Sequence, residues 1–283
     1  MTEKNPAFVT ADWLEKRLGE PGLSIVDGAW YLPAQGRDAR AEYEAGHIPG
    51  AVFFDHDKTV EPGSSLPHQL PSPENFSRFA GAMGIAETDT IVVYDGFGLF
   101  SAPRTRWIFR VMGADKVFIL EGGLDGWKRE GRPLTAELTK IAPNAFKASF
   151  HQDRVATLAQ MRQMVEDGSA QIADARPAGR FQGVDPEPRP GLRGGHMPGA
   201  RNIPFSSFSK DGKMLGKDEL RQLIERAGID LTKPVVTSCG SGVSAAIISL
   251  ALETLGHEDN RLYDGSWAEW GGLADTQVEK GKA

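Results

Sequence analysis

The sequence predicts an α/β protein of two tandem domains, each a mainly parallel β-sheet flanked by helices. Two observations carry this. First, the chain repeats itself. Gly46-His47-Ile48-Pro49-Gly50-Ala51 recurs as Gly195-His196-Met197-Pro198-Gly199-Ala200, and Ile91-Val92-Val93-Tyr94-Asp95-Gly96 lines up with Val235-Val236-Thr237-Ser238-Cys239-Gly240. Glu121-Gly122-Gly123-Leu124-Asp125-Gly126-Trp127 likewise lines up with Asp264-Gly265-Ser266-Trp267-Ala268-Glu269-Trp270. The three matches keep their order at a nearly constant spacing of roughly 145 residues, far beyond a solenoid period, so the repeat unit is a domain. Second, short β-rich runs alternate with helical patterns in each half, which is how βαβ units and a parallel sheet read in sequence. The length of 283 residues suits two domains that each bury a core.

The elements follow in order. Thr10 is an N-cap for a helix over Ala11 to Leu18. Ser24 to Asp27, Thr90 to Tyr94 and Val117 to Leu120 read as strands, the latter two as buried ones. Residues 131 to 153 show no clear period and contain Pro143. The expected domains are therefore 1–140 and 154–283, joined by a linker over 141–153. In the second half Thr157 opens a helix with apolar spacing of three and four, and Gln171 to Asp174 is a strand. Asp218 to Ala227 is a helix stopped at Gly228, and Pro234 to Ser238 is a buried strand.

Composition narrows the function. Hydrophobic residues at 40% and charged residues at 25% exclude a disordered or fibrous chain. A net charge of −6 gives no footprint for nucleic acid. No apolar run reaches the ~20 residues of a membrane span, and the longest candidate, Val235 to Leu252, is broken by Ser, Gly and Cys. Met1 to Pro6 lacks the basic and apolar segments of a signal peptide. The lone cysteine, Cys239, excludes an intrachain disulfide and is compatible with a reducing compartment, so the expected location is the cytoplasm.

Cys239 falls where a strand passes through a loop into a helix. The loop is Cys239-Gly240-Ser241-Gly242-Val243-Ser244, and the helix from Ala245 to Leu252 is apolar enough to be buried. Glycines let such a loop turn its amide N–H groups inward, and those groups with a helix N-terminus make an anion site that favours a thiolate. A buried structural cysteine is the alternative, but ligand sites of α/β sheets lie at this edge. A cysteine phosphatase would need Arg at the sixth position after Cys239, where Ala245 stands. A dithiol oxidoreductase would need a second cysteine. A thiol that carries an atom on its sulfur remains.

These motifs resemble the tandem-domain rhodanese superfamily, specifically the 3-mercaptopyruvate sulfurtransferases, over nearly the whole chain. The carriers are both Gly-His-[Ile/Met]-Pro-Gly-Ala motifs, Tyr263-Asp264-Gly265-Ser266-Trp267, and the Cys239 loop. That loop looks like the family's Cys-Gly-Ser-Gly-Val-Thr-Ala with Ser244 in place of Thr. Thiosulfate sulfurtransferases typically carry Cys-Arg-Lys-Gly-Val-Thr, whose basic pair suits a dianion, so thiosulfate should be a poor substrate here. The resemblance implies a catalytic second domain and a noncatalytic first one, the latter forming one wall of an interdomain cleft. Asp95, at the position matching Cys239, cannot carry sulfur.

The resemblance also implies the site. Cys239 is the nucleophile, and the loop at Gly240, Gly242, Val243 and Ser244 holds substrate and persulfide. Arg180 and Arg189 lie on a long Pro/Gly loop of the kind that is usually functional, and two arginines can clamp a carboxylate by paired charged hydrogen bonds. The family places them on the carboxylate and carbonyl end of the substrate. Asp57, His68 and Ser241 match a Ser-His-Asp relay that manages the proton pyruvate needs when it leaves as an enolate. Arg193 is left outside the site. His47 and His196, present also in the domain without a cysteine, are assigned to structure, and His56, His151 and His257 have no evident partners. Neither zinc spacing nor a nucleotide fingerprint occurs, so no metal or cofactor is expected. The implied reaction is ping-pong: sulfur passes from 3-mercaptopyruvate to Cys239, pyruvate leaves, and cyanide, a small thiol or thioredoxin takes the sulfur. The alternatives are a thiosulfate:cyanide sulfurtransferase and a persulfide carrier or redox-sensing module with little turnover.

Overall fold

The structure is a computed structural model that describes residues 7–96 and 99–282; the Met1 to Pro6 segment considered above lies outside the described residues. The chain forms two compact units. The first comprises Met1–Pro62, Leu70–His151 and Ser209–Met214, the second Gly63–Gln69, Gln152–Phe208 and Leu215–Ala283.

In the first unit the chain runs β1 (Phe8–Val9), α1 (Ala11–Glu15), β2 (Leu23–Asp27), α2 (Ala39–Ala45), β3 (Ala51–Phe53), α3 (Pro73–Ala82), β4 (Thr90–Tyr94), α4 (Ala102–Val111), β5 (Val117–Leu120) and α5 (Gly123–Arg129). The strands form a sheet of order β1-β5-β4-β2-β3 with every pairing parallel. The β4 run from Ile91 to Tyr94 is apolar throughout because it is the central strand, and all four residues are fully buried. The core packs Leu14, Ile48, Val92, Leu120 and Trp127 together. Thr10 caps α1 by accepting the Trp13 N–H at 3.2 Å. The helix stops at Glu15, short of the expected Leu18: Arg17 N–H reaches back only to Leu14 O, and Gly19 turns the chain in a left-handed conformation. After α5 the chain stays on this unit, where Phe146 is buried edge-on against Phe76.

In the second unit the order is β6 (Val155–Ala156), α6 (Leu158–Asp167), β7 (Gln171–Asp174), α7 (Ala178–Phe181) and β8 (Arg201–Asn202). The short hairpin β9 (Ser209–Lys210) and β10 (Lys213–Met214), which packs with the first unit, comes next. Then follow α8 (Lys217–Arg226), β11 (Val235–Ser238), α9 (Ala245–Thr254), β12 (Asn260–Tyr263) and α10 (Ser266–Trp270). The sheet order is β6-β12-β11-β7-β8, again all parallel, so it repeats the first unit strand for strand. Thr157 and Gln160 form a capping box at α6, and Gly168 closes its C-terminus in the left-handed region. Helix α9 is apolar on all sides and buried from Ala245 to Leu252, as a helix without a polar face must be.

The repeated Gly-His-X-Pro-Gly-Ala motif has one job in both units. His47 pairs backbone to backbone with Thr135, and His196 does so with Glu279, all four bonds at 2.9 Å. Each imidazole is buried, with Nδ1 on a carbonyl (Tyr43 at 2.7 Å, Phe181 at 2.9 Å) and its face on that residue's ring. Both histidines fasten the segment that follows the last helix of their unit.

Candidate active site

Parallel topology sends the C-terminal ends of β7, β11 and β12 to one edge of the second sheet, the edge where α/β proteins bind ligands. Asp174 ends β7, Cys239 follows β11, and Asp264 follows β12. The Cys239 side chain is buried, 2% exposed. Gly242 takes φ +81°, which bends the loop as only glycine does readily. Among the described residues, the amide N–H groups of Gly240, Ser241, Gly242, Val243, Ser244 and Ala245 donate to no protein acceptor. Six consecutive open donors at the start of a ten-residue helix form a cradle for an anion.

The first unit shows how such a loop is satisfied. Asp95 stands in the position of Cys239. Its Oδ2 accepts the N–H groups of Phe100, Ser101 and Ala102 at 2.8, 2.9 and 2.8 Å. The carboxylate therefore fills its own cradle. Among the described residues, no side-chain anion accepts from the Cys239 loop in this way.

Ser266 supports the cysteine from α10. Its Oγ accepts the Cys239 N–H at 3.2 Å and donates to Tyr263 O at 2.9 Å. It is fully buried at φ +50°, a costly conformation for a non-glycine residue. The matching position in the first unit is Gly123 at φ +58°, which adopts it freely. The strained serine is thus found in the unit that has the cysteine. The aligned repeats showed this position; the backbone angle they could not show.

Arg180, on α7, meets the Cys239 loop. A Cβ at Gly240 would lie 3.0 Å from its NH2 and 3.8 Å from its NH1, so the outer edge of the guanidinium faces that glycine. Its inner edge is already used: Nε and NH2 donate to Glu187 Oε2 at 3.2 and 2.5 Å. Glu187 Oε1 accepts from Arg176 NH1 at 2.8 Å, and Arg176 donates to both Asp174 oxygens and to Gly195 O. The Arg176 guanidinium lies 4.3 Å above the Trp267 ring. Burial opposes its charge, and the Asp174 and Glu187 carboxylates outweigh that, raising its pKa. Arg176 and Glu187 were not singled out in the sequence. Arg189 is half-buried two residues beyond Glu187. Arg193, left outside the site above, is a structural clamp: it donates to Trp270 O, Gly271 O and Thr276 O at 3.0, 3.1 and 2.8 Å.

Ser241 and His68 come together. His68 Nδ1 lies 2.9 Å from Ser241 Oγ, and both side chains are buried. Although His68 belongs to the first half of the sequence, its segment, Gly63–Gln69, packs with the second unit. His68 is held at φ +57°, strain of the kind that gathers at functional sites. Asp57 belongs to the first unit, where its Oδ1 accepts the Trp30 indole N–H at 3.3 Å. Val243 is buried and Ser244 half-buried at the cap of α9, its side chain making no capping bond. His56 and His257 do have partners: Gly28 O and Thr105 Oγ1 for the first, Leu231 O and Asp259 O for the second.

Two parallel five-stranded sheets, one with a thiol at a strand–loop–helix cradle, define the class, and the rhodanese-like domain model matches residues 10–130 and 157–273. The chain belongs to the rhodanese family. It is 43% identical to the 3-mercaptopyruvate sulfurtransferase of Escherichia coli K12 over 273 residues, covering 96% of this chain and 97% of that one. The thiosulfate sulfurtransferase of Bos taurus is 40% identical over 286 residues, 98% of this chain and 96% of that one. The crystal structure of an E. coli 3-mercaptopyruvate sulfotransferase superposes with a TM-score of 0.85 at 41% identity, covering 92% of this chain and 98% of that one. Relatives of both substrate classes thus stand at similar distance, and the residues of the site must distinguish them.

Proposed function

We propose that the protein is a 3-mercaptopyruvate sulfurtransferase whose sulfur carrier is Cys239. The observation that carries the reading is the row of open amides after Cys239, where the matching loop of the first unit closes on its own carboxylate. The Cys239 thiolate attacks the thiol sulfur of the substrate. The bond from sulfur to carbon breaks, its electron pair stays on carbon, and the adjacent carbonyl takes the charge as the enolate of pyruvate. Ser241 gives its proton to that carbon and takes the His68 Nδ1 proton in turn. The persulfide left on Cys239 gives up the substrate's thiol proton, which restores His68, and its outer sulfur is then the anion of the cradle. A second nucleophile, such as cyanide, a small thiol or thioredoxin, then removes the outer sulfur.

Arg180 offers its outer NH1/NH2 edge to the substrate carboxylate, with Arg189 as its partner. Gly240 and Ser241 place no positive charge in the loop, which suits a monocarboxylate better than a dianion. Asp57 is assigned to the relay on the family resemblance alone. Among the described residues no helix is long and apolar enough to cross a membrane. The single free cysteine suits a reducing cytoplasm.

The test is kcat/KM for 3-mercaptopyruvate and for thiosulfate, with cyanide as acceptor and Cys239→Ser as blank. The expected preference for mercaptopyruvate is about tenfold or more, ~1.4 kcal/mol in transition-state binding. A preference for thiosulfate overturns the substrate assignment.

A further inference from the structure

We infer that Glu187 is the positioning residue of the carboxylate site: it selects which edge of Arg180 meets the substrate and anchors the loop that carries Arg189. The inference rests on the reading of Arg180 given above. The geometry behind it is a chain of alternating charges. Asp174, at the end of β7, holds Arg176; Arg176 holds Glu187 Oε1; Glu187 Oε2 holds Arg180. The side chains of Asp174, Arg176 and Glu187 are each at most 1% exposed, while Arg180 at 16% is the one that reaches outward. The chain therefore runs from the sheet to the mouth of the site. Its rigid end is fixed by two bonds from Arg176 Nε to Asp174 at 3.1 and 3.0 Å and by Trp267 beneath.

A guanidinium can present either of two donor edges to a carboxylate. Glu187 takes the Nε edge of Arg180, which turns the NH1/NH2 edge toward Gly240. Glu187 also stands between Pro186 and Pro188, so the chain on either side has fixed φ. Arg189 follows immediately. One buried carboxylate thus sets one arginine by direct contact and the position of the other through a single stiff residue, Pro188.

Glutamine cannot replace it. Glutamine has one acceptor oxygen and an NH2 group, and that NH2 would face one of the two guanidinium groups donor to donor. Charge and position make opposite predictions for this variant. Removing a negative charge beside Arg180 should strengthen carboxylate binding if Glu187 acts through charge alone. Loss of the orienting acceptor should weaken it.

The experiment is a double-mutant cycle of Glu187→Gln and Arg180→Ala. The readouts are kcat and KM for 3-mercaptopyruvate at fixed cyanide, and the ratio of Cys239 alkylation rates with iodoacetate and the neutral iodoacetamide. The expected result for Glu187→Gln is a KM raised tenfold or more with kcat within threefold. The iodoacetate-to-iodoacetamide ratio should fall, and in the Arg180→Ala background Glu187→Gln should raise KM by a clearly smaller factor than in wild type, the remainder acting through Arg189. A KM that is unchanged or lower, or an equal rise in both backgrounds, overturns the inference. If Glu187→Gln does not fold, Glu187→Asp tests the same point with the charge kept and the reach shortened, and an unchanged KM is the contrary result. Wild-type protein that does not turn over mercaptopyruvate refutes the proposed function, while the alkylation ratio still decides the role of Glu187.

Discussion

Replacing Asp95 by alanine tests the cradle argument in the unit that carries no cysteine. Its Oδ2 is the shared acceptor of three N–H groups, on Phe100, Ser101 and Ala102, and those residues are 4%, 0% and 0% exposed. Alanine removes the acceptor and leaves three buried donors. At ~1–3 kcal/mol for each unsatisfied donor, with some relief by entering water, the loss should be ~3–6 kcal/mol. The assay is urea unfolding of wild type and Asp95→Ala, with and without sulfate. Sulfate stabilises most proteins by exclusion from their surface, so the signal is the extra gain of the variant over wild type. A vacated cradle that binds sulfate gains ~2.7 kcal/mol at a concentration of 100 Kd. A loss below ~1 kcal/mol with no extra gain in sulfate would refute the reasoning, because it would mean that these loop amides do not demand an anion. The parallel with Cys239 would then lose its support.

Two more predictions concern the same sheet edges. Burial pushes Asp27 up to about 7, only partly offset by the Ala29 amide and Tyr94, whereas the matching Asp174 has Arg176 as counter-ion. A raised carboxyl contributes stability that is fully present below its ordinary value of 3.8 and lost as pH rises through about 7, at most ~4 kcal/mol over that span. Asp27→Asn keeps an acceptor for Ala29 and should flatten the decline measured by urea unfolding from pH 5 to 8; parallel curves for the two proteins would contradict this. Gly240→Ala should lower kcat/KM for mercaptopyruvate about tenfold or more, because the new Cβ would stand 3.0 Å from an Arg180 NH2 that Glu187 holds in place, at the scale of one charged hydrogen bond, ~1.5–3 kcal/mol. The melting temperature should stay level, since φ there is not positive; a full loss of fold would show that the glycine serves the backbone instead.

What the sequence reveals and what it hides follow a physical line. The domain repeat is legible because each copy keeps the residues that close its own fold, as His47 and His196 do with Thr135 and Glu279. The strands at Thr90–Tyr94 and Val117–Leu120 are legible because burial on both faces demands apolar runs. The Cys239 loop is legible because glycine and a following apolar helix mark a cradle. Glu187 is not, since a charge between two prolines reads as a solvated loop until its partners are known. Arg193 reads as surface charge for the same reason, although three carbonyls hold it. The packing of His68 with the second unit depends on contacts more than a hundred residues away in sequence, |i−j| = 173 for Ser241, which no local pattern encodes. Ser266 shows its strain only as a dihedral angle.

That Cys239 carries sulfur taken from 3-mercaptopyruvate is tested by the intact mass of the protein after incubation with mercaptopyruvate in the absence of acceptor, with pyruvate counted in the same sample. The expected result is one added sulfur atom on Cys239, one pyruvate released per protein, and return to the starting mass on addition of cyanide. Pyruvate release with no added mass, or an equal mass gain in Cys239→Ser, would contradict it.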